Sequence, residues 1–221
     1  MNIRSDKEQN QPDYAEQRQR MVDEQLVARG IQDERLLNEM GILSREEFVP
    51  QTWRGFAYED RALPIGFGQS IAHPFSVAYM IESLELTKHD RVLEIGTGSG
   101  YTTAVLAHLT TEVHSIERFP RLAKTAQQRL QRMNLDHAYI HVKDGSRGLP
   151  EYAPFNCILI AASANHLAPI YLKQLENDGR IVIPRDCTST SQVLFRYTRR
   201  GRGLFVEKLG HIAAVPVVGF E

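Results

Sequence analysis

Along the chain the spacing of apolar residues changes character once, near Asp90. Before it, Met21, Val22, Leu26 and Ala28 suit one face of a helix predicted over 14–29, with Gly30 fit for its C-cap. Asp33 is placed to cap a second helix that carries Leu36, Leu37 and Met40 and stops at Gly41. Segment 45–65 has no clean period, and Phe48, Val49, Trp53, Phe56 and Tyr58 read as its anchors. A glycine-rich loop from Gly66 to Pro74 then leads into a helix expected to reach Leu86. Residues 1–13 are polar and aperiodic, which predicts a flexible tail.

After Asp90 strands and helices alternate. Strands are predicted at Arg91–Ile95, Glu112–Glu117, Ala138–Val142, Asn156–Ala161 and Arg180–Pro184. Between them lie helices at Tyr101–Leu109, Pro120–Met133 (with Pro suited to the first turn) and Leu167–Leu175. Such alternation predicts an α/β fold, a doubly wound and mostly parallel sheet with helices on both faces. The end differs: Gln192–Thr198 and Leu204–Leu209 flank a Gly/Arg turn and predict an antiparallel hairpin, with one more strand at Ile212–Val218. The sequence therefore predicts a single domain over 14–221. Within it, 14–90 supplies N-terminal helices and a loop, and 91–221 supplies a ligand-binding sheet and a β-rich end.

Composition narrows the class without choosing a function. Of 221 residues 42% are apolar and 24% charged, which excludes a disordered or fibrous chain. The net charge of −1 provides no field to hold nucleic acid. No apolar run approaches the ~18 residues of a membrane span, and the polar N-terminus resembles neither signal nor anchor. A cytoplasmic protein is the expectation. Two cysteines, Cys157 in an apolar strand and Cys187 in a polar loop, make no disulfide framework, and no histidine pair has metal-ligand spacing, so no metal is expected. The basic run Arg196 to Gly203 looks like an RNA-binding cluster in isolation, but between two strands it reads as a solvated turn.

The chemistry centres on Glu94-Ile95-Gly96-Thr97-Gly98-Ser99-Gly100, between the first strand after Asp90 and its helix. Glycines there let a ligand approach the backbone, and the helix N-terminus offers free N–H groups. A dinucleotide fingerprint needs Gly at position 101, which holds Tyr101. An acid two residues before Gly96 would repel a pyrophosphate and suits a ligand with an ammonium group. Glu117 ends the next strand 21 residues beyond Gly96, placed to accept from a ribose diol. Asp144-Gly145 follows the third strand, where a carboxylate and an N–H could read an adenine edge. A ligand with an amino acid, a ribose and an adenine is S-adenosylmethionine; a turn needed only for packing, with solvated strand-end acids, is the structural alternative.

From about Met21 to Gly219 the chain resembles the protein-L-isoaspartate (D-aspartate) O-methyltransferases. The residues that carry the resemblance are Glu34–Leu37, Arg45-Glu46-Glu47-Phe48-Val49-Pro50, Tyr58–Gly66, Val92–Tyr101, Ser115–Arg118, Asp144-Gly145 and Val215-Pro216, and Glu59 to Gln69 is the most specific stretch. The resemblance implies the Rossmann-like fold of S-adenosylmethionine-dependent methyltransferases. It also implies methylation of the α-carboxylate of L-isoaspartyl residues in damaged proteins and peptides, which starts repair through a succinimide. A carboxylate is already an anionic nucleophile, so alignment with the methyl group supplies much of the gain.

By the same resemblance the cofactor would be held by Gln69, Ser70, Ile71, Glu94, Gly96, Thr97, Gly98, Gly100, Glu117, Arg118, Asp144 and Gly145. Ile65, His73, Ala213, Val215 and Val218 would face the peptide. The family loop usually reads Gly-Gln-Thr-Ile-Ser, and its Ser is taken as the active-site residue; here Ser70 replaces Thr and Ala72 replaces Ser. Ser70 or a backbone N–H is expected to substitute in part, the alternatives being a paralogue with another carboxylate or peptide acceptor or a non-catalytic cofactor-binding module. Asn165 and Arg185-Asp186 also depart from the usual pattern near the expected peptide groove. Partners would be isoaspartyl-containing proteins and peptides, met by a monomer or homodimer, with no nucleic acid or membrane involved.

Overall fold

A computed structural model describes residues 13–162, 166–188 and 191–213. Asp13 starts α1 (Tyr14–Arg20) by accepting from the Glu16 N–H at 3.0 Å. The helix expected to run evenly to Arg29 instead loosens to a π turn over Met21–Leu26 and tightens to a 3-10 turn over Val27–Arg29. Met21 and Leu26 are five apart, a spacing that the wider turn brings to one buried face. Gly30, left-handed at φ +94°, closes the segment as expected.

In α2 (Glu34–Ile42) the Asp33 carboxylate accepts from the Arg35 and Leu36 N–H groups. Gly41 does not stop this helix, which runs through it to Ile42 and hands its C-cap to extended Leu43. The glycine-rich stretch is not an open loop either. Leu63–Gly66 (β1) and Gln69–Ile71 (β2) form a hairpin whose two turn residues, Phe67 and Gly68, have φ of +55° and +69°. Two left-handed residues suit the twist of a tight hairpin, and the missed signal was a Phe in a position that glycine usually fills. Helix α3 (Pro74–Glu82) ends before Leu86, where Glu85 turns left-handed.

The main sheet has the order β5-β4-β3-β6-β7-β8-β9. Its strands are β3 (Arg91–Ile95), β4 (Glu112–Glu117), β5 (Ala138–Val142), β6 (Phe155–Ile160), β7 (Leu175–Thr188), β8 (Ser191–Arg200) and β9 (Gly203–Ile212). Strands β3 to β7 run parallel to one another, and the β7–β8 and β8–β9 pairs are antiparallel. Helices α4 (Tyr101–Leu109) and α5 (Pro120–Arg132) are the crossovers to β4 and β5. The helix expected over 167–175 shrinks to α6 (Pro169–Leu172), because Leu175 already pairs with Phe155 in the sheet. Cys187 lies in β7 rather than a loop. Ile212 ends β9, and positions 214–218 of the expected extra strand, like 1–12 of the tail, lie outside the described residues.

Alternation along each strand divides the core in two. Val92 and Leu159 join the cluster that includes α3, α4 and the N-terminal helices, while Leu93 and Ile158 point into the cluster with Tyr171 and Leu149. The chain leaves β3 outward through β4 and β5 and returns beside β3 as β6, so the carboxyl ends of β3 and β6 diverge. Such a switch point is where open α/β sheets form a crevice.

Candidate active site

Above that switch point lies a cleft in two communicating parts. The first, of about 590 Å³, runs between Gln69–Ala72 of the hairpin and Gly96–Ser99 of the glycine loop, with Tyr101, Thr102, Glu117, Ala161 and Ala162 in its walls. The second, of about 500 Å³, is lined by Arg118, Phe119, Asp144, Gly145, Ile95 and Ile116. Gln69, Gly96, Glu117 and Ala162 border both parts, which makes one continuous cleft.

The glycine loop can take this path because Gly96, Gly98 and Gly100 all have positive φ, from +54° to +101°. Its shape is fixed by the neighbouring strand: the Gly96 and Thr97 N–H groups donate to the Ile116 carbonyl at 2.9 and 3.1 Å. Glu117 accepts from the Gly98 N–H at 2.8 Å and the Phe119 N–H at 2.9 Å, so one buried carboxylate ties the loop to the end of β4. Asp144 accepts from the Ser146 N–H at 2.9 Å, a bond that holds its carboxyl below the usual range. At Gly145 a Cβ would lie 2.6 Å from Ile95 Cγ2, so any side chain on this floor of the cleft would have to displace Ile95.

Not every expected contact faces the cleft. Glu94 is fully buried beneath the loop, where Oε2 accepts from the Thr103 hydroxyl at 2.5 Å and the Ser115 hydroxyl at 2.7 Å. Among the described residues its Oε1 has no partner, and burial pushes the carboxyl up to about 7. Gly100 lies against α5, where a Cβ would come 3.0 Å from Ala126 Cβ. Ile65 touches the loop from the hairpin side, 3.2 Å from where a Gly98 Cβ would stand. His73 and Ala213 share a separate groove with Arg29, Asp60, Phe75, Ser76, Gln192 and His211, next along the chain from Ala72. There His73 Nδ1 lies 3.0 Å from the Asp60 carbonyl, and the Ser76 hydroxyl donates to the Ala213 carbonyl at 2.8 Å. Asn165, Val215 and Val218 lie outside the described residues.

Sequence reasoning missed Met80, Tyr101, Thr102, Phe119, Ala161 and Ala162. Ala161 and Ala162 follow β6 and Phe119 lies just past β4; both ends border the crevice, so strand-end position was the available signal. Phe67 of the hairpin turn stacks on Phe119, with centroids 5.6 Å apart and planes at 24°. This contact joins the hairpin to the cleft rim. Met80 sits in α3, the helix that follows the hairpin, where an apolar residue reads as core.

The cradle fits S-adenosylmethionine: tight glycines for its backbone-lined stretch and, in the cleft wall, the strand-end acid Glu117 for a ribose. Fold and cleft together define an S-adenosylmethionine-dependent methyltransferase of the Rossmann-like type. Comparison with known proteins makes this more specific. The family model described as protein-L-isoaspartate(D-aspartate) O-methyltransferase matches residues 16–221, and the chain belongs to this family.

Among relatives, the chain is 45% identical over 202 residues to the protein-L-isoaspartate O-methyltransferase of Protochlamydia amoebophila, covering 91% of this chain and 96% of that protein. It is 43% identical over 207 residues to that of a Roseiflexus species, covering 94% of each. A solved protein-L-isoaspartate O-methyltransferase superposes with a TM-score of 0.79 at 24% identity, over 91% of this chain and 66% of that one. A Plasmodium falciparum structure, in complex with S-adenosyl-L-homocysteine, gives 0.77 at 23% identity over 90% and 97%. These two likenesses speak for the fold.

Proposed function

We propose that this chain methylates the α-carboxylate of L-isoaspartyl residues in damaged proteins and peptides, with Gln69 to Ala72 covering the point of transfer. The observation that carries this is the continuity of the cleft: Gln69 and Glu117 border both the part between hairpin and glycine loop and the part lined by Asp144 and Gly145. Glu117 would hold the ribose, Asp144 and Gly145 the adenine edge, and the Gly96–Gly100 loop with Glu94 beneath it the amino-acid end. Gln69, Ser70, Ile71, Thr97 and Arg118 complete the contacts. When bound, S-adenosylmethionine supplies an electrophilic methyl group on a sulfonium. The chain's own task is to orient a carboxylate that needs no proton removed and to keep water from the line of approach.

Ile65 and the groove with His73 and Ala213 would receive the peptide, and Val215 and Val218 would extend it. Ala72 removes the hydroxyl that the family's Ser offers the acceptor. One charge-assisted hydrogen bond contributes about 1.5–3 kcal/mol, so the loss slows transfer without abolishing it, and Ser70 in the same wall takes over part of the role. The acceptors would be many, because a net charge of −1 selects no single partner. We place the enzyme in the cytoplasm; among the described residues no helix is long and apolar enough to cross a membrane.

The test is methyl transfer to a peptide carrying isoaspartate against the same peptide carrying aspartate. Turnover confined to the isoaspartyl peptide supports the reading, and cofactor binding without it would overturn the choice of acceptor. In the same assay Ala72→Ser is expected to raise the rate by about tenfold, the effect of one restored hydrogen bond to a charged group. A flat or falling rate refutes the role given to residue 72.

A further inference from the structure

A buried cation stands behind the acceptor loop. Arg45 opens the 3-10 turn Arg45–Phe48 and is 0% exposed. Its Nε donates to the Ala57 carbonyl at 2.8 Å and its Nη2 to the Ala72 carbonyl at 2.5 Å. The guanidinium lies over the Tyr101 ring, with Cζ 4.7 Å from the centroid, and Phe48 meets the same ring edge-on at 5.3 Å. Tyr101 and Ala72 both line the cleft, so Arg45 ties the acceptor side to the first residue of α4.

Two features do not suit a purely structural brace. Among the described residues, Arg45 Nη1 and the Tyr101 hydroxyl are buried with nothing but each other to interact with, and no well-formed hydrogen bond joins them. The neighbouring acid, Glu46, takes the Tyr58 hydroxyl instead of the guanidinium. A guanidinium keeps its proton in proteins, so this is a buried positive charge balanced by carbonyl dipoles and an aromatic face rather than by a carboxylate. Burying a charge in that way is costly unless an opposite charge arrives. The substrate of this reaction brings one.

We propose that Arg45 is a positioning residue for the acceptor: it fixes the Ala72 backbone and sets a positive potential behind it that draws the isoaspartyl carboxylate. The bond runs to the carbonyl of residue 72, so it works equally with Ala or Ser there, which is how the chain tolerates Ala72. This rests on the placement of the acceptor beside Gln69–Ala72. Transfer by the unaltered enzyme to the isoaspartyl peptide is the separate control for that reading.

The experiment compares binding of the isoaspartyl peptide with that of the same peptide carrying the neutral α-carboxamide, measured as a competitive inhibitor. The unaltered enzyme is expected to prefer the acid by about tenfold or more, a typical size for a close charge interaction. Arg45→Met and Arg45→Gln should bring that preference to within about threefold and lower kcat, with cofactor affinity held to within a similar factor. Arg45→Lys should keep the preference and lose only kcat, because an ammonium cannot span both carbonyls. A merely structural role would lower thermal stability and leave the ratio where it was. Folded neutral variants with an unchanged ratio overturn the proposal. If neither neutral variant folds, an unaltered enzyme that binds acid and amide equally overturns it as well.

Discussion

Along the strand-end wall of the cleft, acids accept from backbone N–H groups. Glu117 takes those of Gly98 and Phe119, and Asp144 takes that of Ser146. In the cap formed by the N-terminal helices and residues 45–73, the side chains around Arg45 reverse the pairing. Arg45 donates to the Ala57 and Ala72 carbonyls, while the adjacent acid Glu46 is occupied by a tyrosine. One wall therefore carries negative groups and the other a buried positive one. The reaction has the same polarity: a methyl group leaves a sulfonium and arrives on a carboxylate. Each wall bears the sign that suits the reactant it would hold.

The largest effect should come from removing the acid that organises the first wall. Glu117→Ala leaves the Gly98 and Phe119 N–H groups without their acceptor and would deprive a bound ribose of its proposed partner. Cofactor affinity measured by calorimetry is expected to fall by about 100-fold, the equivalent of one or two hydrogen bonds to a charged group. A loss of less than about threefold would mean that the strand-end wall does not carry the cofactor.

Next comes the buried acid beneath the loop. The Glu94 carboxyl is pushed up by burial to about 7 from an ordinary 4.5. The folded state thus holds a proton between those values that the unfolded chain has released. Stability from this group is present at pH 4.5 and below, and it is lost as pH rises through about 7. By linkage the loss is on the order of 3 kcal/mol. Glu94→Gln cannot ionise yet still offers an oxygen to the Thr103 and Ser115 hydroxyls. Urea unfolding of the cofactor-free protein at pH 5 and pH 8 should show a smaller fall in the variant. Parallel curves would show that Glu94 ionises freely in the fold.

The two walls differ as much in how far the sequence discloses them. The strand-end wall follows from short-range rules: alternating strands, a Gly-rich turn, and acids at strand ends fixed the sheet and the positions of Gly96, Glu117, Asp144 and Gly145 around one cleft. Where that reading fell short, as with Glu94 facing hydroxyls beneath the loop, the sequence marks an acid's place on a strand but not which cavity its oxygens reach. The cap follows no period. Its π turn suits the spacing of Met21 and Leu26, and its hairpin needs a left-handed Phe67. Arg45 reads as an ordinary surface charge until the fold brings Ala57, Ala72 and Tyr101 around it. Contacts between residues 12 to 56 positions apart leave no local pattern.

The smallest effect concerns the place where hairpin and strand-end wall touch. Phe67 is about half exposed (49%), holds a left-handed backbone, and stacks on Phe119. An aromatic pair of this kind contributes about 0.5–1.5 kcal/mol. Phe67→Ala should therefore weaken cofactor binding by about two- to tenfold, with the urea midpoint little changed because the ring is outside the core. Phe67→Gly separates the two causes. Glycine adopts the left-handed turn without strain, so a variant that binds like the parent would show that hairpin geometry alone closes the cleft. Equal weakening in both variants would assign the closure to the stacked ring, and with it the apolar join between the acidic wall and the cationic one.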